Sequence, residues 1–158
     1  MNRLALVFAL ALSASAALAS DDALIKARYL DQQQGINKMD SKRFFSTLDK
    51  SFVQIDQTGK RLGYVAYRKG LMPIFQQFEK GDIKLVPVKI TYGNGVATAE
   101  YALDGALIAK GGKLLVTERG VDTWKKFGST YLLVKEVVKV SHQHSTMRMT
   151  RPGMMAGQ

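Results

Sequence analysis

Two groups of residues in this sequence have the types and spacing to do chemistry. The first is acidic and aromatic. Glu118, Asp122 and Trp124 fall at alternate positions of a long run over residues 114–126, so a strand there turns them to one face. Thr117, Arg119 and Thr123 then take the other. Along residues 96–103, Ala97, Ala99, Tyr101 and Leu103 share a face opposite Thr98 and Glu100. The apolar face should meet the helices, which brings Tyr101 to any cavity between helices and sheet. With Asp122 and Trp124 inward, Glu118 also points inward, unless a bulge at Gly120 changes the register. Carboxyls beside a phenol and an indole in a dry pocket can hydrogen-bond a small ligand or move a proton. A filled core with Glu118 at its rim uses the same residues.

The second group is His142 and His144, two apart and therefore on one face of a strand, followed by Met147, Met149, Met154 and Met155. Imidazole and thioether ligands suit copper, and methionine favours the cuprous ion. Two histidines do not close a coordination set, and a solvated tail is the alternative. Cysteine is absent, which excludes disulfides, thiol nucleophiles, iron–sulfur clusters and thiolate zinc. No serine, threonine or lysine spacing matches a nucleophile elbow or an S-x-x-K pattern. No resident cofactor is expected.

The elements that must position these residues can be read from punctuation and period. Ser20-Asp21-Asp22 starts a helix in which Ala23, Leu24, Ala27 and Leu30 form an apolar stripe, ending near Gly35. Asp40 or Ser41 caps a short second helix carrying Phe44, Phe45 and Leu48. Residues 51–56 alternate as a strand, and Gln57-Thr58-Gly59-Lys60 turns the chain. A third helix over 65–79 is shortened or kinked by Gly70 and Pro73. Strands follow at 85–92, with Pro87 marking an edge, then at 96–103, 114–126 and 131–140, with turns at Gly93-Asn94-Gly95 and Gly128-Ser129. Helices first and antiparallel hairpins last predict an α+β fold.

At 158 residues, with 46% hydrophobic and 23% charged residues, the chain has the makings of one ordinary globular domain. Residues 1–19 read as a secretory signal peptide: Arg3, the apolar run 4–12 and Ala17-Leu18-Ala19 before Ser20. The expected organisation is signal peptide 1–19, folded domain 20–140 and a flexible His/Met tail 141–158, with a periplasmic or secreted product. The chain has 23 Lys+Arg against 13 Asp+Glu, a formal charge of +10. The basic residues are dispersed, as at Lys26, Arg28, Lys42, Arg43, Lys60, Arg61, Arg68, Lys69, Lys125 and Lys126. That pattern suits solvated faces, steering of anionic ligands or an anionic membrane surface. With no nucleic-acid motif, it argues against nucleic acid as a partner.

Residues 22–140 resemble the nuclear transport factor 2-like superfamily, which includes SnoaL-like polyketide cyclases, ketosteroid isomerase and secreted domains of unknown function. The resemblance rests on Val121-Asp122-Thr123-Trp124-Lys125-Lys126-Phe127-Gly128 followed by Tyr131-Leu132-Leu133-Val134. It is supported by Phe52-Val53-Gln54-Ile55-Asp56 with Gly59 and Arg61-Leu62-Gly63. It implies three N-terminal helices packed in the concavity of a strongly curved, mainly antiparallel sheet, and a homodimer through that sheet.

Ketosteroid isomerases are similar at three further positions. Tyr29, after Arg28, stands where those enzymes carry an oxyanion tyrosine. Asp56 stands at their general base and Asp122 at the carboxylic acid that stays protonated, while Gln57 replaces the proline that commonly follows the base. Such a triad would remove a proton α to a carbonyl and stabilise the enolate with two donors. The functional expectation is small-molecule binding in the cone, or an interaction module. The enzymatic alternative uses Tyr29, Asp56 and Asp122 as catalytic residues, and a second alternative is copper binding at His142 and His144. The pocket would hold its ligand with Tyr101, Glu118 and Trp124.

Overall fold

The structure, a computed structural model, describes residues 21–146. The proposed signal peptide and Met147, Met149, Met154 and Met155 lie outside the described residues. The first helix, α1, covers residues 21–37. It runs to residue 37, close to the end expected near Gly35. A Cβ at Gly35 would stand 2.8 Å from the Phe44 backbone nitrogen, so the glycine allows α1 to touch the next helix. That helix, α2, is Ser41–Phe45, and Asp40 caps it by accepting from the Arg43 N–H at 2.9 Å.

Six strands follow: β1 Leu48–Ile55, β2 Arg61–Gly63, β3 Lys80–Gly93, β4 Val96–Ala109, β5 Gly112–Phe127 and β6 Thr130–Ser145. The helix α3, Tyr64–Gln77, lies between β2 and β3 and keeps Pro73 inside it. The sheet order is β2-β1-β6-β5-β4-β3, antiparallel except where β1 runs parallel to β6. This is the expected α+β cone, with three helices and a curved open sheet. The strands are longer than their alternation predicts. The β2 strand was not expected, because three residues are too few to show a period. Pro87 does lie on an edge strand, next to a register shift between Pro87 and Lys89.

The free edge of β3 is occupied by side chains of α1. Asn37 donates through Nδ2 to the Ile83 carbonyl at 2.9 Å and accepts from the Ile83 N–H at 2.8 Å. Gln33 Oε1 accepts from the Leu85 N–H at 2.9 Å. Two amide side chains thus take the place of a further strand. Ile25, Tyr29, Phe52, Trp124 and Tyr131 are the most deeply buried large side chains of the core. Helix α3 buries none of its residues completely, although Tyr67, Leu71, Ile74 and Phe75 pack against that core. Its apolar face borders an internal volume lined by residues of the sheet.

Candidate functional site

That volume is a cavity of about 460 Å³ between α3 and the concave face of the sheet. Its walls are largely apolar, with Phe44, Leu71, Ile74, Phe75, Leu85 and Leu107 among them. Its polar lining includes Gln54, Tyr101, Glu118, Asp122 and Glu136. The alternation read for β5 is kept. β4 and β5 pair without interruption from Val96↔Lys125 to Ala109↔Gly112, so Glu118 and Asp122 both line the cavity.

The irregularity foreseen near Gly120 exists, but the extra residue belongs to β6. Gly120 pairs with Val138 and Arg119 with Val140, leaving Lys139 over. A second shift at Thr123/Trp124 leaves Val134 over. Each extra residue moves β6 by one position, so the inward set passes from Tyr131 and Leu133 to Glu136 and Val138, then to Ser141 and Gln143. Glu136 is thereby delivered to the cavity, a position that sequence alternation misses.

Tyr101 is aimed by Gly120, its partner across the β4–β5 ladder. A Cβ on Gly120 would stand 2.7 Å from the Tyr101 ring and hydroxyl and would clash with the Val137 carbonyl oxygen, so only glycine admits the ring here. The Tyr101 hydroxyl lies 2.8 Å from Glu118 Oε1 and 3.1 Å from Glu136 Oε1. The single hydroxyl proton is shared between the two carboxyls, a contact that favours a neutral form for one of them. Gln54 donates to the other Glu136 oxygen at 2.8 Å.

Behind this pair stands a second relay. The Tyr29 hydroxyl donates to Asp122 Oδ2 at 2.6 Å, and Trp124 Nε1 donates to the Tyr29 oxygen at 3.3 Å. The two rings meet edge to face, with centroids 5.2 Å apart. Neither Tyr29 nor Trp124 lines the cavity; they support Asp122 from the rear. Asp122 is 2% exposed, and its Oδ1 is buried with no hydrogen-bond partner.

The shape containing this arrangement recurs in solved structures. A nuclear transport factor 2-like protein of unknown function from Shewanella baltica superposes with a TM-score of 0.56 at 15% identity, over 80% of this chain and 95% of the other. The chain has the nuclear transport factor 2-like fold. A candidate scytalone dehydratase from Novosphingobium aromaticivorans matches with a TM-score of 0.67 at 11% identity, covering 83% of this chain and 94% of its own. A type 2 hexachlorocyclohexane dehydrochlorinase matches with a TM-score of 0.61 at 13% identity, covering 87% and 97%. No family model matches the sequence, and neither does any curated protein. The nuclear transport factor 2-like cone thus occurs in proteins named as enzymes and in others of unknown function.

In this nuclear transport factor 2-like cone the carboxyls are held toward their neutral forms. Burial raises Asp122 well above the usual carboxylate range, and the charges of Glu136 and Glu118 add to it, against the opposing bond from Tyr29. Glu136 is pushed up to about 7, by burial first and by Glu118 next. Burial also raises Glu118, while bonds from Tyr101 and Ser141 oppose the shift. Tyr67, packed on Phe52 with ring centroids 4.9 Å apart, is raised by burial and by the same three carboxyls.

The remaining sequence-derived candidates lie apart from this cluster. Asp56 is at the cavity mouth, and its Oδ1 accepts from Thr58 N at 2.8 Å, Thr58 Oγ1 at 2.6 Å and Lys60 N at 3.0 Å. The Thr58 hydroxyl is the first cause holding its carboxyl below the usual range, which makes it a weak base. The structure therefore groups Tyr29 with Asp122 and leaves Asp56 capping a turn. His142 and His144 fall on β6, which continues through Ser145 beyond the expected boundary at 140. They alternate with the cavity-lining Ser141 and Gln143, so they occupy the opposite face, exposed. Among the described residues no three metal-ligating side chains come together.

Proposed function

We propose that this protein binds a small molecule in its cone, an apolar body filling the walls and a polar group meeting the carboxyl cluster. The observation that carries the reading is the carboxyl of Asp122, a residue lining the cavity, whose Oδ1 is buried without a partner. Such an atom costs about 1–3 kcal/mol unless something bonds to it, and an occupant is the simplest partner. The chain's sole tryptophan, Trp124, bonds Tyr29, which bonds Asp122 through its Oδ2, so its fluorescence reports on that carboxyl group. Titration with adamantanol, followed by tryptophan emission and calorimetry, should give saturable binding of one molecule per chain. Absence of any saturable signal overturns the reading. Export directed by residues 1–19 belongs to the same proposal, and N-terminal sequencing of the secreted product checks it.

The Tyr29–Asp122 bond favours a second, enzymatic reading. On this reading a protonated Asp122, backed by that phenol, would donate to a carbonyl oxygen, and the Glu118–Glu136 pair, which lines the same cavity, would accept a proton from the adjacent carbon. Exchange of α-protons for deuterium in a cavity-sized ketone, followed by proton NMR, should then be faster with the wild type than with Asp122→Asn. Equal rates overturn this reading and leave the binding reading intact.

A further inference from the structure

The cavity wall is chemically one-sided. Asp56, Glu118, Asp122 and Glu136 line it, and no described lysine, arginine or histidine does. This happens in a chain with 23 basic and 13 acidic residues. The ion pairs among the described residues use Asp21, Asp22, Asp31 and Asp104, and none reaches the three inner carboxyls. Buried acids normally acquire a cation or a full set of donors. Here Glu136 has Gln54 and a share of Tyr101, Glu118 has Tyr101 and Ser141, and Asp122 Oδ1 has nothing.

We propose that the molecule taken into the cone is an organic cation. It would be a protonated primary amine on an apolar body, its ammonium seated among Glu118, Asp122 and Glu136. The inference rests on the small-molecule reading above and names the ligand class. An ammonium group carries three N–H donors and no acceptor, which matches three carboxyl groups short of donors. One of those donors supplies Asp122 Oδ1. Another adds a donor to the Glu118–Glu136 pair, which shares the single proton of Tyr101. Its charge in turn favours the ionised acids that desolvation otherwise suppresses. The apolar body lies against Leu71, Ile74 and Phe75, which line the same cavity. An anion meets four carboxyls and no described cation on this wall.

Three molecules of one shape separate the possibilities: adamantylamine, adamantanol and adamantane carboxylate, each titrated into the intact protein at about pH 8. The amine is expected to bind more than about tenfold tighter than the alcohol, and the carboxylate more weakly than either. Glu136→Gln should remove the amine's advantage, its folding checked by thermal unfolding. Glu118→Gln serves where that variant does not fold. If the alcohol matches or beats the amine, the cation is wrong and the small-molecule reading stands. If none of the three binds, both fall. An amine preference that persists in both glutamine variants overturns the proposed seat.

Discussion

Tyr101 and Gly120 face each other across the β4–β5 ladder, and the missing side chain of one is the space occupied by the other's ring. The shared hydroxyl contact between Glu118 and Glu136 depends on that exchange. Gly120→Ala is therefore expected to destabilise the fold by about 1–3 kcal/mol through overpacking, measured by denaturant unfolding. It should also displace Tyr101 and weaken adamantanol binding. An unchanged unfolding midpoint would mean that the ring moves aside without cost.

Tyr29→Phe removes the hydroxyl that joins Trp124 to Asp122. Asp122 is then left with two unbonded buried oxygens, and its carboxyl rises further because the bond that lowered it is gone. The expected cost is about 1–3 kcal/mol in unfolding free energy. A shift in the Trp124 emission maximum should accompany it.

Stability should fall as pH rises through neutrality. Glu136 in the folded chain titrates at about 7 against 4.5 for an ordinary glutamate, so between these values the unfolded chain has lost a proton the folded chain keeps. The groups facing it are Glu118 and Asp122 from β5, Tyr101 from β4, Tyr67 from α3 and Gln54 from β1, with Tyr29 of α1 behind Asp122. Its contribution is fully present below pH 4.5 and lost by about 7, on the order of 3 kcal/mol. Asp21, Asp22, Asp49, Asp56 and Asp104 are held below the ordinary 3.8, so their contributions are lost only in more acid solution and do not mask this window. Chemical denaturation at a series of pH values should show the decline in the wild type and a flatter profile in Glu136→Gln.

Ala66 lines the cavity from α3 yet is itself exposed. Ala66→Trp is expected to reduce adamantanol affinity more than about tenfold by occupying the entrance, with stability changed by less than about 0.5 kcal/mol. Calorimetry and thermal unfolding on the same samples test both halves.

Much of this site was legible before the structure, and the exceptions have physical causes. β5 pairs with β4 without a shift, so simple alternation placed Glu118 and Asp122 on the cavity side and Trp124 with them. The same rule fails on β6, where Val134 and Lys139 are extra residues and each reverses which side chains face inward. Counting by twos from Tyr131 puts Lys135 and Val137 inward and hides Glu136. Asp56 shares the inward parity of Phe52 and Gln54, but a turn begins at once and its carboxylate is taken by Thr58 and Lys60. Nothing in the local sequence distinguishes a turn cap from a base. The three-residue β2 takes its order from pairing with Val53–Ile55, and the last residues of β6 take theirs from Leu114–Glu118 of β5, neither of which local periodicity contains.

The amide side chains of Asn37 and Gln33 along β3 bear on more than local stability. A long outer strand is a template on which a second chain can add, and natural sheets suppress such addition with lysines, prolines and covering groups. β3 carries Lys84, Pro87 and Lys89, and α1 blocks the stretch between Ile83 and Leu85. Asn37→Ala would expose that stretch to solvent while leaving the cavity wall intact. Its expected phenotype is concentration-dependent self-association in a protein that still folds, visible as light scattering that grows on standing.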